Sequence, residues 1–350
     1  MAPLERPQER LLLDLILELP ASRVLCNTAG RAQFAASYAR QHSQSPVACW
    51  LLDLYQRQQC DLAVHPRPQN LALLCEADPP SGEVDLVAWA FSRQGESELV
   101  REMLQLGCER LSIGGRLIAA IDNPRDQWLH NLFREMFAKV TRRPSDLGVI
   151  YLATKTAPLR KLKSYNAEFA FRDGERLIRL RTRPGVFSHR QLDGGARALL
   201  KALTISPGMR AVDLGCGSGA VALAAALRAD GVQVDAIDSN PRAIESTRWA
   251  VVQASNDHRP PSSVTVTLDC DGSCVAEDAY DLVLANPPYF SDFRIARLFV
   301  ESAERTLHSN GLLQLVTKTP EWYADHLPES FTEVITNPVG NYIIVSARKT

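Results

Sequence analysis

From residue 209 to the end of the chain, short apolar runs alternate with longer segments of helical character. Alternation of strand and helix is typical of a parallel sheet covered by helices on both faces. We therefore expect a Rossmann-like α/β domain in this half of the chain. The predicted strands lie at residues 210–214, 232–238, 264–268, 280–285, 311–317 and 342–347, and the predicted helices at residues 219–229, 241–255 and 292–307.

The first half of the chain repeats part of this plan. An Asp-Leu-Val sequence begins at Asp85 and again at Asp281, and each opens an apolar strand that is followed by a helix. A glycine, Gly115 or Gly311, then leads the next strand, and it follows the aspartate by 30 residues in both halves. Two Rossmann-like domains could share loop lengths by chance, but the match favours a duplicated domain. The predicted fold class is α/β with two tandem Rossmann-like domains.

Composition excludes several classes of protein. A chain of 350 residues is longer than one hydrophobic core usually organises, which agrees with two domains. No apolar run approaches the length of a membrane span, and the polar start of the chain does not resemble a signal peptide. The eight cysteines include no Cys-x-x-Cys pair and are typical of reduced thiols. We therefore expect a cytoplasmic protein without a membrane partner.

Positive charge is concentrated in one segment, although the formal net charge of the chain is −1. Residues 155–190 hold ten lysine or arginine residues against three acids. An Asp-Gly pair at residues 173–174 predicts a hairpin between strands at residues 168–171 and 177–182. Strand alternation places Arg179, Arg181 and Arg183 on one face of the second strand. These arginines either contact phosphates of a nucleic acid or are solvent-exposed charges that protect an edge strand from aggregation, and both interpretations stay open.

A glycine-rich loop follows the first strand of the second half. Asp213 ends this strand, and Gly215, Gly217 and Gly219 open the next helix. Glycines let a ligand approach the backbone closely. Asp238 ends the second strand, 19 residues after Gly219, where a carboxylate can accept hydrogen bonds from both hydroxyls of a ribose. The pattern predicts a nucleoside cofactor, and it also fits the dinucleotide fingerprint.

Charge distinguishes the two possible cofactors. A carboxylate at Asp213 would repel a pyrophosphate, whereas it would attract the ammonium group of S-adenosyl-methionine. We therefore predict S-adenosyl-methionine rather than NAD, and the alternative role for Asp213 is that of a helix-capping acid. After the third strand, Asp269, Cys270 and Asp271 reach the position expected for adenine. Of these we favour Asp271 as the contact to the adenine amino group.

The sequence Asn286-Pro287-Pro288-Tyr289 follows the fourth strand, at the sheet edge where open α/β folds bind ligands. The prolines remove two backbone donors, so the Asn286 side-chain oxygen and the Pro287 carbonyl oxygen can both accept hydrogen bonds from a substrate. Two acceptors suit an amino group with two hydrogens, and they would aim its lone pair at a methyl sulfonium. Tyr289 can stack on a planar substrate. The motif predicts methyl transfer to an exocyclic amino group without a metal, and the alternative is a proline-rich turn.

Together these motifs resemble the bacterial ribosomal RNA guanine-N2 methyltransferases with two methyltransferase-like domains, and the similarity covers nearly the whole chain. Residues 183–188, Arg-Pro-Gly-Val-Phe-Ser, and residues 192–195, Leu-Asp-Gly-Gly, are similar to the segment that precedes the family's catalytic domain. In relatives this segment helps to close the cofactor site, which implies that Phe187 contacts the cofactor. The resemblance also implies S-adenosyl-methionine as cofactor and ribosomal RNA or a ribosomal subunit as partner, with the small subunit slightly preferred.

The family's first domain is a degenerate copy without methyl-donor chemistry, and the first half of this chain is similar in that respect. Ala90 stands where the second half has Asn286, and Phe91 and Ser92 replace the prolines. Of the glycine loop only Gly30 remains. We therefore predict a degenerate substrate-recognition domain at residues 1–154, a basic hairpin connector at residues 155–190 and the catalytic domain at residues 191–350.

The sequence defines the reaction more closely than the acceptor. Relatives often carry Phe and then His after the prolines, whereas this chain has Tyr289 and Phe290, both expected beside the substrate base. The same motif occurs in adenine-N6 DNA methyltransferases and in enzymes that methylate a release-factor glutamine. A non-catalytic RNA-binding assembly factor is a further alternative, against which Asp213, Asp238 and Asn286 argue. An NAD oxidoreductase would need a paired catalytic His or Tyr-Lys arrangement, which this edge of the sheet does not offer.

Overall fold

The computed structural model describes residues 6–257, 263–288 and 293–350. Contacts divide the chain into two compact units, residues 1–165 and residues 166–350. Over the described ranges, each unit contains a seven-stranded sheet, and the second unit also contains a two-stranded hairpin. No helix in these ranges is both long enough and apolar enough to cross a membrane.

The first unit consists of strands with helices between them. Its strands are β1 (Val24–Cys26), β2 (Val47–Leu51), β3 (Leu71–Cys75), β4 (Val84–Phe91), β5 (Leu111–Ile121), β6 (Val140–Ser145) and β7 (Gly148–Thr154). Its helices are α1 (Pro7–Leu13), α2 (Gln33–Gln41), α3 (Leu54–Ala63), α4 (Ser97–Arg110) and α5 (Trp128–Met136).

The second unit begins with a hairpin and continues with its own sheet. The hairpin strands are β8 (Ala167–Asp173) and β9 (Arg176–Thr182). The sheet strands are β10 (Arg210–Leu214), β11 (Gln233–Asp238), β12 (Ser263–Leu268), β13 (Tyr280–Ala285), β14 (Leu307–Thr317), β15 (Phe331–Val339) and β16 (Tyr342–Lys349). The helices are α6 (Gly194–Ala202), α7 (Ala220–Arg228), α8 (Pro241–Asp257), α9 (Arg294–Thr306) and α10 (Pro320–His326).

The two sheets have the same strand order. The first runs β3-β2-β1-β4-β5-β7-β6 and the second β12-β11-β10-β13-β14-β16-β15. In each sheet the first five strands are parallel and the last two pair antiparallel. Buried apolar side chains on both faces explain why the parallel strands are nearly continuous apolar runs. The predicted fold class of two tandem Rossmann-like domains is confirmed.

An aspartate at the start of the fourth strand has the same role in both sheets. Asp85 accepts hydrogen bonds from the backbone N–H groups of Ser22 and Arg23, just before β1. Asp281 accepts one from the backbone N–H of Arg210, at the start of β10. These carboxylates join the fourth strand to the first, and they explain why the Asp-Leu-Val sequence occurs twice.

The repeated glycine has a packing reason. A Cβ atom on Gly115 would lie 3.1 Å from the carbonyl oxygen of Asp85, and one on Gly311 would lie 2.9 Å from that of Tyr280. The contact at Gly311 is closer than Cβ atoms come to an oxygen, and the one at Gly115 is tighter than most, so glycine suits each strand where it approaches its neighbour. A close backbone oxygen of the fourth strand beside this glycine in both sheets supports a duplicated domain.

Most predicted elements of the second unit occur where the apolar runs indicated, with ends that differ by a few residues. The strand predicted at residues 311–317 begins earlier, at Leu307. The edge strand β15 was not predicted, because most of its side chains are exposed and it shows no alternation of apolar and polar residues. Residue 292, at the start of the predicted third helix, lies outside the described residues.

The predicted hairpin is present and packs on the second unit. Arg228, the last residue of α7, donates to both carboxylate oxygens of Asp173, at 2.9 and 2.6 Å. The same guanidinium donates to the carbonyl oxygens of Leu200 and Leu203. A guanidinium that donates to a carboxylate and to two carbonyl oxygens holds these groups in one relative orientation. The hairpin, expected from the sequence to be part of a connector, is therefore anchored to the second unit.

Candidate active site

Parallel pairing brings three loops of the second unit to one edge of its sheet. Leu214, at the end of β10, pairs with Ile237 of β11 and with Ala285 of β13. The chain leaves these strands at the same edge, so the glycine loop, Asp238 and Asn286 follow there. This carboxyl edge is where open α/β sheets bind ligands.

The backbone of the glycine loop is fixed and leaves room for a ligand. Gly215, Gly217 and Gly219 have φ angles of 73°, 55° and 84°, which side chains disfavour. A Cβ atom on Gly219 would also lie 2.9 Å from the side chain of Thr247. On Gly217, by contrast, a Cβ atom would meet only the Gly215 carbonyl oxygen, at 4.0 Å. Space for a ligand therefore lies above Gly217.

Asp213 lies under this loop and is 3% exposed. Its Oδ2 accepts a hydrogen bond of 3.0 Å from the backbone N–H of Ala222 in the first turn of α7, as the helix-capping interpretation expects. Burial raises the pKa of this carboxyl to about 7; the Ala222 hydrogen bond lowers it, and nearby Asp238 raises it. A bound cation would stabilise the charged form. The cofactor contact of Asp213 stays a prediction.

Asp238 joins the glycine loop to α8. Its Oδ2 accepts a hydrogen bond of 2.9 Å from the backbone N–H of Gly217, and its Oδ1 one of 2.8 Å from that of Asn240. A carboxylate oxygen accepts more than one hydrogen bond, so ribose hydroxyls can share these oxygens. Asp238 ends β11 as predicted, and its contact with ribose stays a prediction.

The start of α8 holds the segment that carries Phe187. Asn240 Nδ2 donates to the carbonyl oxygen of Gly185 at 2.6 Å. The fully buried Arg242 donates through Nη1 to the carbonyl oxygen of Pro184, also at 2.6 Å. These bonds place the segment beside the residues that follow Asp238. Phe187 itself is 52% exposed, and its contact with the cofactor stays a prediction.

The loop after β12 uses one carboxylate for its own structure. Asp269 is buried, and it accepts hydrogen bonds from the backbone N–H groups of Cys270 and Cys274, at 2.7 and 3.0 Å. Its own N–H donates to the Asp238 carbonyl oxygen at 3.0 Å, which ties this loop to β11. Asp271 is exposed. Its predicted adenine contact has not been tested, but its exposure is what such a contact requires.

The Asn286 amide is oriented by a carboxylate from another part of the chain. Asn286 Nδ2 donates to Asp193 Oδ2 at 2.8 Å. The same oxygen accepts a hydrogen bond of 2.9 Å from the backbone N–H of Ala196, so Asp193 is also the N-cap of α6. An amide with its nitrogen against a carboxylate presents its oxygen on the other side. Pro287 is buried, whereas Tyr289 and Phe290 lie outside the described residues.

Two of the three predicted arginines contact α8. Arg179 is exposed, while the Arg181 guanidinium lies 5.1 Å from the centre of the Trp249 ring. Arg183 makes an ion pair of 3.4 Å with Glu245. Alternation along β9 is as predicted, but α8 uses two of the three arginines. Their predicted contact with phosphates stays a prediction.

The first unit lacks this arrangement at the equivalent edge. The side chain of Asn27, just after β1, is folded over the backbone of Ala90: its Oδ1 accepts from the Ala90 N–H at 2.6 Å, and its Nδ2 donates to the Ala90 carbonyl at 3.1 Å. Ala90 offers no polar side chain to a substrate. The edge is therefore closed by the unit's own side chain.

A buried glutamate occupies the degenerate loop of the first unit. Glu9 of α1 is fully buried and accepts hydrogen bonds from the Thr28 hydroxyl and from the backbone N–H groups of Ala29 and Phe34, the latter two at 3.0 Å. Burial raises the pKa of Glu9 above its ordinary value, although these hydrogen bonds act to lower it. The N–H and hydroxyl donors of this loop therefore bind Glu9 and are not available to a ligand. In the second unit the counterpart of Glu9 is Ala196, because Ala196 follows Glu9 by 187 residues, just as Gly217 follows Gly30.

Sequence reasoning included Asp193 only as part of a family-like segment without a role of its own, and it missed Glu9 and Asn240. An aspartate directly before a helix indicates an N-cap, so a signal existed for the local role of Asp193. Its contact with Asn286 spans 93 residues, and that of Glu9 with Thr28 spans 19. Neither contact leaves a pattern in a single sequence.

Comparison with known proteins finds similar methyltransferases. The methyltransferase small domain family matches residues 177–345. Ribosomal RNA small subunit methyltransferase C of Shewanella amazonensis is 31% identical over 169 residues, which cover 47% of each chain, so the match spans about half of this relative. The protein of the same name from Shewanella sediminis is 25% identical over 291 residues, covering 80% of this chain and 82% of the relative.

One solved structure matches almost the whole fold. It is the T. thermophilus 16S rRNA N2 methyltransferase in complex with AdoMet and guanosine, with a TM-score of 0.80 at 21% identity. The match covers 97% of this chain and 92% of that one. These similarities confirm the resemblance drawn from the sequence. Residues 177–345 therefore match the methyltransferase small domain family, and the chain as a whole has the tandem fold of that 16S rRNA methyltransferase.

Proposed function

We propose that this protein transfers a methyl group from S-adenosyl-methionine to the N2 amino group of a guanine in ribosomal RNA. The observation that carries the proposal is the Asn286 amide, which Asp193 orients at the sheet edge shared with the glycine loop and Asp238. An oriented amide oxygen beside a nucleoside-type site is what transfer to an amino group requires.

The residues at this edge fit S-adenosyl-methionine. Space above Gly217 admits the methionine part of the cofactor, and Asp213 lies under the same loop for its ammonium group. In our proposal Asp238 accepts from the ribose hydroxyls, the exposed Asp271 contacts the adenine, and the exposed Phe187 contacts the cofactor. When bound, the cofactor supplies an electrophilic methyl group on its sulfonium.

The chain's own groups orient the acceptor. In our proposal Asn286 Oδ1 and the Pro287 carbonyl oxygen accept the two hydrogens of the guanine amino group, which keeps its lone pair off the ring. Tyr289 and Phe290 lie outside the described residues, and their contact with the base stays a prediction. A guanine amino group pairs inside helices, so the substrate is a loop or a flipped base.

Ribosomal RNA is supported as the substrate by the names of the relatives and by the guanosine in the matching solved structure. These names favour the small subunit. Arg179, Arg181 and Arg183 are our candidates for phosphate contacts, of which Arg179 is exposed. We assign substrate recognition to the first unit, because Glu9 and Asn27 occupy its cofactor-type edge. We also propose a cytoplasmic location, which a ribosomal substrate supports.

Methyl transfer to defined substrates tests this proposal. Purified protein is incubated with methyl-labelled S-adenosyl-methionine and, separately, small-subunit ribosomal RNA, large-subunit ribosomal RNA, DNA and a release factor. We expect label in small-subunit ribosomal RNA, and loss of at least about 100-fold in kcat for Asn286→Ala with unchanged S-adenosyl-homocysteine affinity. Label in DNA or in the release factor instead would overturn the acceptor, and an Asn286→Ala variant with full turnover would overturn the mechanism.

A further inference from the structure

One carboxylate oxygen serves two structural purposes at the edge of the active site. Asp193 Oδ2 accepts from Ala196 N–H at 2.9 Å and from Asn286 Nδ2 at 2.8 Å. The first bond begins α6, a helix that packs against β14 and β16 through buried residues such as Leu199. Because the helix fixes the oxygen, the oxygen in turn fixes the amide.

The bond decides which end of the amide meets the substrate. The two ends of an asparagine amide are nearly equal in size, but one donates and the other accepts. With Nδ2 turned away from the carboxylate, Asn286 would present a donor to an amino group that also donates. Only the observed orientation offers Oδ1 as an acceptor, and a carboxylate is the partner that excludes the opposite one.

We propose that Asp193 is a positioning residue for methyl transfer, acting through Asn286 and not through the substrate. This inference rests on the proposed function for the identity of the acceptor, but the coupling of Asp193 to Asn286 does not depend on which amine is methylated. The first unit illustrates the contrast, because its equivalent edge has neither residue: Ala90 stands at the Asn286 position, and Arg6 is the N-cap of α1.

The substitution Asp193→Ser separates the two roles of the carboxylate. Serine caps a helix about as well as aspartate, so α6 keeps its start, but its shorter side chain does not reach Asn286. We expect kcat to fall by about 10- to 100-fold, because the amide loses its single orientation. Asp193→Asn keeps an oxygen that can accept both bonds, and it should restore most of the lost kcat. S-adenosyl-homocysteine affinity should change by less than about threefold in both variants.

A matched control is available in the first unit. Asp53 caps α3 by accepting from the Gln56 N–H, and it lies outside the proposed site. Asp53→Ser makes the same exchange of one helix cap for another in the unit to which we assign substrate binding and not methyl transfer, so it should leave kcat unchanged whatever its effect on KM. Equal losses of kcat in Asp53→Ser and Asp193→Ser would reduce Asp193 to a structural cap.

A double-mutant cycle decides whether Asp193 acts through Asn286. In the Asn286→Ala background, Asp193→Ser should cost no further activity, because the amide that it orients is absent. Additive losses would overturn the positioning role, since they would mean that Asp193 acts by another route. If the wild type labels an amine other than guanine N2, the proposed function fails, yet the cycle on that amine still tests Asp193.

Discussion

The charge of Asp213 should act in opposite directions on folding and on cofactor binding. Burial raises the pKa of this carboxyl from its ordinary 3.8 to about 7. That difference corresponds to about 4 kcal/mol against the charged form in the folded protein, since each pKa unit is about 1.4 kcal/mol. A raised folded-state pKa means that the stabilising contribution is complete below pH 3.8 and is lost as the pH rises through 7.

Asp213→Asn removes the charge and keeps an oxygen that can accept from Ala222. Without cofactor, the free energy of unfolding of the wild type should fall between about pH 5 and about pH 8, whereas this contribution is absent from the variant. The difference in unfolding free energy, variant minus wild type, should therefore grow by about 2 to 3 kcal/mol over this range. For a unit of this size the difference between the two melting temperatures should grow by about 4 to 12 °C over the same range.

The same substitution should weaken the cofactor complex. At about pH 8 we expect S-adenosyl-homocysteine to bind at least about tenfold more weakly to Asp213→Asn, because its ammonium group loses a charged acceptor. Wild-type affinity should rise with pH as Asp213 ionises, whereas the affinity of the variant should not follow that titration. Thermal unfolding at both pH values and calorimetric titration measure these quantities.

Asp281→Asn is the matched control. Burial acts to raise the pKa of Asp281, but hydrogen bonds from the Arg210 N–H and from His308 outweigh it and lower the pKa. The Asp281 carboxylate therefore stabilises the fold above its ordinary pKa, and this contribution is lost on acidification. The Asp281→Asn variant should be less stable than the wild type at neutral pH, but it should bind the cofactor normally. An Asp213→Asn variant that is less stable at every pH, with unchanged affinity, would refute our reasoning and leave Asp213 as a helix cap only.

Three further results are expected. Asp238→Ala should weaken S-adenosyl-homocysteine binding by roughly 10- to 150-fold in calorimetry, because a charged hydrogen bond contributes about 1.5 to 3 kcal/mol; unchanged affinity would remove Asp238 from the site. Ala196→Glu should abolish cofactor binding in a folded protein, because it introduces at the glycine loop a carboxylate equivalent to that of Glu9 in the first unit. Arg197→Glu, on the exposed face of α6, should leave binding intact, and retained binding in Ala196→Glu would contradict this equivalence. RNA binding should weaken with added salt as phosphate contacts release counterions, and Arg179→Ala should reduce the slope; salt-independent binding would contradict phosphate contacts.

Local patterns in the sequence were sufficient for the parallel strands of the second unit and for its glycine loop. Apolar runs mark strands buried on both faces, and the φ angles of Gly215, Gly217 and Gly219 explain why that loop is visible as glycines. The exposed edge strand β15 has no such pattern, so it could not be predicted. Burial thus determines which elements the sequence reveals.

Contacts between distant parts of the chain account for what the sequence did not reveal. Asn286 was recognisable from its neighbours Pro287 and Pro288, but the oxygen that orients it comes from Asp193. Likewise, the loss of glycines indicated that the first unit is degenerate, but not that Glu9 fills its loop. These contacts depend on how helices α1 and α6 pack on their sheets, which periodicity alone does not specify.

The most direct test of the central claim is the identity of the methylated nucleoside. Ribosomal RNA from a strain lacking this gene is incubated with the purified protein and S-adenosyl-methionine that carries an isotope-labelled methyl group, then digested and analysed by mass spectrometry. The proposed function requires the label in N2-methylguanosine, in RNA from the mutant and not in RNA from the fully modified parent strain. Label in N6-methyladenosine, or an N2-methylguanosine content that does not differ between the two strains, would contradict it.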